Sequence, residues 1–355
     1  MGEKKNNNLL GESKMKKLIS RDAVTIYIVI AFYAVYSAMI YSGSASRQML
    51  NMVITLSCYI LLSVSLNLVV GFLGELSLGH AAFMSVGAYS GSMLSVAILE
   101  KFPQIPLYLR LPIAMLFGGI IAAVFGIIIG IPVLRLNGDY LAIVTLVFGE
   151  IIKNVIINLD FTGGAIGYDT EPIYETPKNL LPFAAIAVIV SVILIINLAK
   201  SKHGRAITAV RDNRIAADAT GIKITYYKLM VFALAAFIAG IAGVIWGHSL
   251  SIIKAAKFDF NMSIEILVIV VLGGLGSVRG SVIAAIIMII LPEMLRDLQD
   301  YRMLIYSILL ILLMLFNASP KLIAIRERLS IKNLMAEAKK RAAEKKKVKE
   351  GSANE

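Results

Sequence analysis

Apolar runs of membrane-crossing length recur along this chain and set the fold class before any other feature is considered. A helix crosses a hydrocarbon core of ~30 Å with about 20 apolar residues. Runs near that length occupy 23–41, 49–70, 80–98, 111–134, 140–158, 180–199, 228–249 and 303–318, and two shorter ones lie at 263–275 and 280–295. Backbone groups in lipid must be satisfied within the segment, so these runs are expected to be helices. The expected fold is therefore all-α: a polytopic integral membrane protein of about ten transmembrane segments. Charged residues make up 16% of the chain, against about 25% in a soluble domain, and they collect at the ends and in a few loops.

Ten crossings place both termini on one side. On that side Lys and Arg number six in 1–22, one at Arg135, six in 200–227, one at Arg279 and eleven in 319–355; the opposite side holds eight. A 25-to-8 imbalance puts the N and C termini in the cytoplasm by the positive-inside rule. The net charge of +12 is thus a topological signal, and nucleic acid is not expected as a partner. Three parts follow: a basic cytoplasmic tail over 1–22, a membrane domain over 23–318, and a basic cytoplasmic tail over 319–355. The run Ala23–Tyr41 has no clear small-residue cleavage site and reads as a retained first span. Cys58 is the one cysteine and sits in an apolar run, so no disulfide forms within the chain.

Two glycine-rich stretches interrupt the pattern. Residues 71–79 read GFLGELSLG and 273–280 read GGLGSVRG; each follows one apolar run and opens another. Such stretches occur at membrane depth where protein or a water-filled cavity surrounds them. They are compatible with an internal repeat and equally with close helix packing alone. On the outer side, the acidic loop 159–179 and the loop 250–262 are expected to meet an external partner.

Lys200–Lys228 does not belong in a membrane. Ile207, Val210, Ile215, Ala216, Ala219 and Ile222 recur near helical spacing, with Arg205, Arg211, Asp212 and Arg214 between them, and Gly221 stands where a helix would stop. An apolar helix face in this loop needs cover, from the membrane interface or from a groove on a partner.

The unit GRAITAVRDNRIAADATGI resembles the cytoplasmic coupling loop of ATP-binding cassette importer permeases, although the Glu-Ala-Ala tripeptide is absent. Three further stretches, Ser65–Leu94, Arg135–Asn154 and Glu265–Arg296, resemble permeases of bacterial branched-chain amino-acid importers, and the SLGHAAF and VVLGGLGSVRG forms are similar to the M-type subunit. The likeness covers about residues 50–318. It implies a multi-pass protein of the bacterial cytoplasmic membrane that works with two ATPase subunits, a second, H-type permease, an extracytoplasmic binding protein and the surrounding lipid. It also implies that Gly204, Arg205, Ala209, Arg211, Asn213, Ala216, Ala217 and Gly221 form the ATPase-coupling surface. No G-x-x-x-x-G-K-[ST] motif occurs, so the chain is read as a transport subunit without an ATPase site or cofactor of its own, ATP being hydrolysed by the partners.

A zwitterionic substrate needs polar groups along its path, and ionisable residues within spans mark such paths or pair with one another. Glu150, Asn67, Glu75, His80 and Glu265 are the candidates. Glu150 either meets the substrate ammonium or pairs with Lys153 one turn away. His80 and Asn67 also suit structural hydrogen bonds. With three histidines and one cysteine, a metal site is unsupported. Alternatives are an importer of urea or short amides built on the same fold, a secondary transporter, and an intramembrane enzyme; the last lacks a nucleophile–base set.

Overall fold

The computed structural model describes residues 23–294, apart from 41, 43–46, 134, 135 and 137, together with 308 and 311. Apart from 308 and 311, the expected last span at 303–318 and both tails lie outside the described residues. The chain divides into two units, Met1–Glu293 and Met294–Glu355, and the elements below belong to the first, α11 ending at its boundary.

The fold is all-α. In chain order the helices are α1 (Ala23–Ile40), α2 (Arg47–Asn67), α3 (His80–Lys101), α4 (Leu107–Val133), α5 (Asp139–Asn158), α6 (Pro177–Lys200), α7 (Lys202–Asp212), α8 (Arg214–Ala219), α9 (Ile224–His248), α10 (Phe260–Gly273) and α11 (Val278–Met294), with strands β1 (Tyr168–Asp169) and β2 (Ile252–Ile253). Among the described residues seven helices are long and apolar enough to cross a membrane: α1 to α6 and α9. At about 1.5 Å per residue, the 14 residues of α10 and the 17 of α11 are shorter than a full crossing. Both start beside irregular backbone: Asp259 caps α10 by accepting from the Met262 amide at 3.0 Å, and α11 follows the glycine turn Gly273–Gly276.

α2 is the axis of the bundle. From Val53 to Gly71 every residue except Thr55 and Tyr59 is buried, because α6, α9 and α10 pack around it and Tyr33 of α1 meets Ser57 at 2.7 Å. A helix that is apolar on all sides is one enclosed by other helices. Its buried serines stay satisfied by donating to their own helix, Ser57 to Val53 O and Ser65 to Leu62 O. α3, α4 and α9 form a second packed group through small residues: a Cβ on Gly87 would lie 2.3 Å from the Gly240 Cα, and one on Gly118 would lie 2.8 Å from the Gly87 carbonyl. Helices without a hydrophobic driving force between them associate through such close contacts.

Contacts sort the loops into two sets. On one side, Arg211 reaches Gly71, Lys228 pairs with Glu75, and Arg279 bonds Thr25. On the other, β1 and β2 pair antiparallel, Tyr168 opposite Ile253, while Thr170 Oγ1 donates to Leu250 O and Glu175 accepts from Arg110. These sets are the ones that alternate crossings produce. The two loops expected to share an external partner, 159–179 and 250–262, are thus stitched to each other. Glu175 departs from that expectation: it turns inward to the buried Arg110 and leaves Asp160, Asp169 and Glu171 as the exposed acids of the loop.

Candidate functional site

The two glycine-rich stretches meet. α2 continues past Asn67 as a π-turn, Leu68–Leu73, and Gly74 ends it with φ +79°, a left-handed conformation that glycine adopts without strain. A Cβ on Gly71 would sit 2.1 Å from the Gly276 amide nitrogen, and Gly273 and Gly280 close on each other as tightly. Asn67 fastens this junction from the α2 side: its Oδ1 accepts from the Gly276 amide and its Nδ2 donates to Ser281 Oγ, both at 2.8 Å. From Gly74 the chain runs back into the bundle without helical structure. Glu75 there pairs with Lys228, a lysine 2% exposed. Desolvating both charges is repaid only by each other, so neither stands alone at low cost. At the start of α3, His80 meets Ser65 through Nε2 at 2.7 Å.

α7 lies against this junction. Ser201 caps it by accepting from the His203 and Gly204 amides. Gly204 is tight against the end of α6, where a Cβ would be 2.3 Å from Leu198 O. Arg211 Nη1 donates to Gly71 O at 2.9 Å, and its side chain packs where a Cβ on Gly74 would go. The segment expected to be one short helix is two: Asn213 breaks it with extended backbone and caps α8, its Oδ1 accepting from the Ala216 amide at 3.0 Å. The expectation that the apolar face of this segment waits for a partner is corrected. Ile207 and Val210 are covered by α6, α9 and the π-turn of their own chain. What remains open is α8. Ile215 is 84% exposed, flanked by exposed Arg214, Ala216 and Asp218, while Ala217 turns inward. Gly221, at φ +82°, ends the segment as expected.

Across the bundle, a cavity of about 550 Å³ opens beside α2 and α10, with Thr55, Tyr59, Trp246, Lys257, Asp259 and Glu265 in its wall. Glu265 Oε2 accepts from the Tyr59 hydroxyl at 2.8 Å, and no Lys or Arg among the described residues pairs with it. α5 borders this region, packing on α10 and on the turn Ala255–Lys257.

Residues 48–316 match the family described as "Branched-chain amino acid transport system / permease component". The chain belongs to this family. The permease is similar to the high-affinity branched-chain amino acid transport system permease protein LivM of Escherichia coli K12, 33% identical over 83% of this chain and 73% of the relative. It also resembles a probable branched-chain amino acid permease LivM of Methanocaldococcus jannaschii, 24% identical over 69% of this chain and 80% of that one. The ribose import permease RbsC of Haemophilus influenzae is 25% identical over 82% and 90% respectively. No solved structure matches.

The permease places the sequence candidates in three groups. Asn67, Glu75 and His80 are spent in the junction on Ser281, Lys228 and Ser65. Glu150 pairs with Lys153 on α5, the second of its two expected roles, and Asn154 beside it donates to Glu150 O. Glu265 alone lines the cavity. Of the coupling set, Arg205 is exposed and bonds Lys200 O, whereas Arg211, expected on the ATPase-coupling surface, donates to Gly71 O in the junction. Residue-level reading missed Lys228, which counts in sequence as a span-end lysine, and the cavity wall at Thr55, Tyr59 and Trp246. Only the glycine echo at 71–79 and 273–280 signalled in advance that these segments act together.

Proposed function

We propose that this permease is the M-type membrane subunit of an ATP-driven importer that carries branched-chain amino acids inward. Family membership supports the transport role, and the single structural observation that carries the division of labour is α8. Ile215 stands out from a loop outside every span, beside a groove of about 610 Å³ lined by Asp218, Lys223 and Ile224. Leaving that isoleucine in water forfeits about 25 cal/mol per Å² of apolar area, and a cleft on an ATPase subunit is the occupant that fits. The coupling loop then spans Lys200–Lys228, with α8 as the docking piece and α7 as the part that passes its movement to the junction. The chain itself uses no cofactor, and two partner ATPases hydrolyse ATP.

In this reading the chain crosses ten times, with 1–22 and 319–355 as cytoplasmic tails around a membrane domain of 23–318. The α7–α8 side faces the cytoplasm. The β1–β2 side faces an extracytoplasmic binding protein with Asp169 and Glu171. An H-type permease completes the pathway. The polar stripe of Glu150, Lys153 and Asn154 on α5 supports that last point, since ionisable residues at mid-span avoid lipid. Reporter fusions after Ala199 and after Glu355 should both read cytoplasmic.

The deciding experiment is uptake of labelled leucine, isoleucine, valine, urea and ribose by vesicles holding the whole complex. Uptake of the three amino acids alone supports the reading. Uptake of urea or ribose instead transfers the chain to another substrate class on the same scaffold.

A further inference from the structure

We propose that the cavity between α2, α9 and α10 is a substrate-holding station within the permease, in which the Glu265 carboxylate receives the ammonium group of an amino acid. The proposal rests on the transport reading above. Its first support is the way the bundle axis is enclosed. Along Val53–Gly71 the helix α2 is covered except at Thr55 and Tyr59, one turn apart, and both line this cavity. Among the described residues, the axis of the fold is therefore reachable along that stretch at this place alone.

The second support is the charge there. Glu265 takes one hydrogen bond, from Tyr59, and no cation among the described residues pairs with it. Asp259 is spent on the Met262 amide and on Asn261. Lys257 makes no ion pair among the described residues. Elsewhere the part-buried carboxylates Glu75, Glu150 and Glu175 each have a basic partner. An ionisable side chain within a membrane domain that lacks a protein partner faces a cavity or a pathway, and its partner can be a ligand. The group that matches a carboxylate flanked by a hydroxyl is a primary ammonium, which donates up to three hydrogen bonds.

The rest of the wall completes an amino acid. Lys257 lies in the turn before α10, and Glu265 lies about 9 Å along α10 from its cap Asp259, counting six residues at about 1.5 Å each. A zwitterion would enter with its ammonium leading and its carboxylate toward Lys257. Trp246, held edge-on by Phe258 at 5.1 Å, and the thioethers of Met84 and Met262 offer apolar, adaptable walls to an aliphatic side chain. A sugar has no charge to satisfy Glu265, and a small amide would leave the apolar wall unused.

The test uses the whole complex in proteoliposomes with its binding protein. Glu265→Gln keeps shape and removes the charge. Leucine uptake should fall about tenfold or more, the ratio expected for losing a hydrogen bond between charged groups, while the ATPase subunits still co-purify. Glu265→Asp should recover part of that loss. Unchanged uptake by Glu265→Gln overturns the station. If that variant does not assemble, Thr55→Cys in a Cys58→Ser background answers instead. Leucine should slow modification of Thr55→Cys by a water-soluble thiol reagent, read by mass on this chain, and full modification at saturating leucine overturns the proposal. If the wild-type complex imports no branched-chain amino acid at all, the transport reading itself falls, an outcome distinct from a working importer indifferent to Glu265.

Discussion

Arg211 Nη1 donates a 2.9 Å hydrogen bond to the carbonyl of Gly71. The guanidinium belongs to α7, outside the spans; the carbonyl belongs to the π-turn that ends the buried axis helix. Gly71 in turn touches Gly276 at backbone distance. One side chain thus connects the loop beside α8 to the point where both glycine stretches meet. The bond ties an element outside the spans to a backbone with no side chain to absorb displacement.

Removing that tie should uncouple the machine without dismantling it. Arg211→Ala leaves all spans intact and gives up a charged hydrogen bond of about 1.5–3 kcal/mol. Uptake should drop about tenfold or more while ATP hydrolysis continues. Arg211→Lys should recover little, because a point ammonium does not reproduce the planar fork that also meets Asp212. Parallel loss of hydrolysis and uptake would assign Arg211 to assembly instead.

Gly71 should tolerate nothing larger. In Gly71→Ala the added methyl would meet the Gly276 nitrogen at 2.1 Å and Asn67 Oδ1 at 1.9 Å, and backbone cannot step aside. Overpacking of this kind typically costs about 1–3 kcal/mol and can cost more. Gly149→Ala is the control, since its nearest contact is at 3.8 Å. Thermal unfolding of the two purified variants should differ by several degrees. Equal midpoints would mean the junction opens freely.

The buried pair Glu75–Lys228 should show strong coupling. Glu75→Gln or Lys228→Met alone strands a buried charge and should cost about 3–5 kcal/mol. The double variant should recover most of that, because two neutral side chains need no mutual compensation. Denaturation of all four proteins in detergent gives the cycle directly, and additive losses would contradict the pairing.

Ile215 should matter only in the complex. Ile215→Asp alters an exposed position on a six-residue helix, so expression and membrane insertion should be unchanged. Burial of an isoleucine is worth about 1.5–3 kcal/mol, so capture of the ATPase subunits should weaken at least tenfold. Ala216→Glu should act in the same direction. Wild-type capture by both variants would leave α8 as a solvated turn.

Glu150 and Lys153 offer a last cycle. They pair one turn apart on α5 with side chains partly exposed in the isolated chain. Glu150→Gln leaves a cation at mid-span and should reduce assembly with the second permease. Glu150→Gln with Lys153→Met should assemble again, and uptake by that double variant reports whether the charges themselves guide the substrate.

What the amino-acid order determined by itself is the part governed by local rules. Runs of about 20 apolar residues need no tertiary information to become helices in lipid, and nine of the ten expected segments appear as helices near their expected bounds among the described residues. Gly221 as a stop, and 200–228 as a loop with helical pattern, follow from backbone freedom and periodicity in the same way. Which residues share a site was decided only by the tertiary structure. Periodicity placed Ile207, Val210 and Ile215 on one helix, yet the extended backbone at Asn213 turned the first two onto the bundle and left the third outside. Glu75 and Lys228 are 153 residues apart, and Tyr59 and Glu265 are 206 apart. No spacing rule reaches across such intervals, because these pairs are made by separate segments packing side by side, not by neighbours along one helix. Glu75, Glu150 and Glu265 look alike in sequence; Glu150 found its lysine one turn away on its own helix, whereas packing alone gave Glu75 its lysine and left Glu265 facing a cavity.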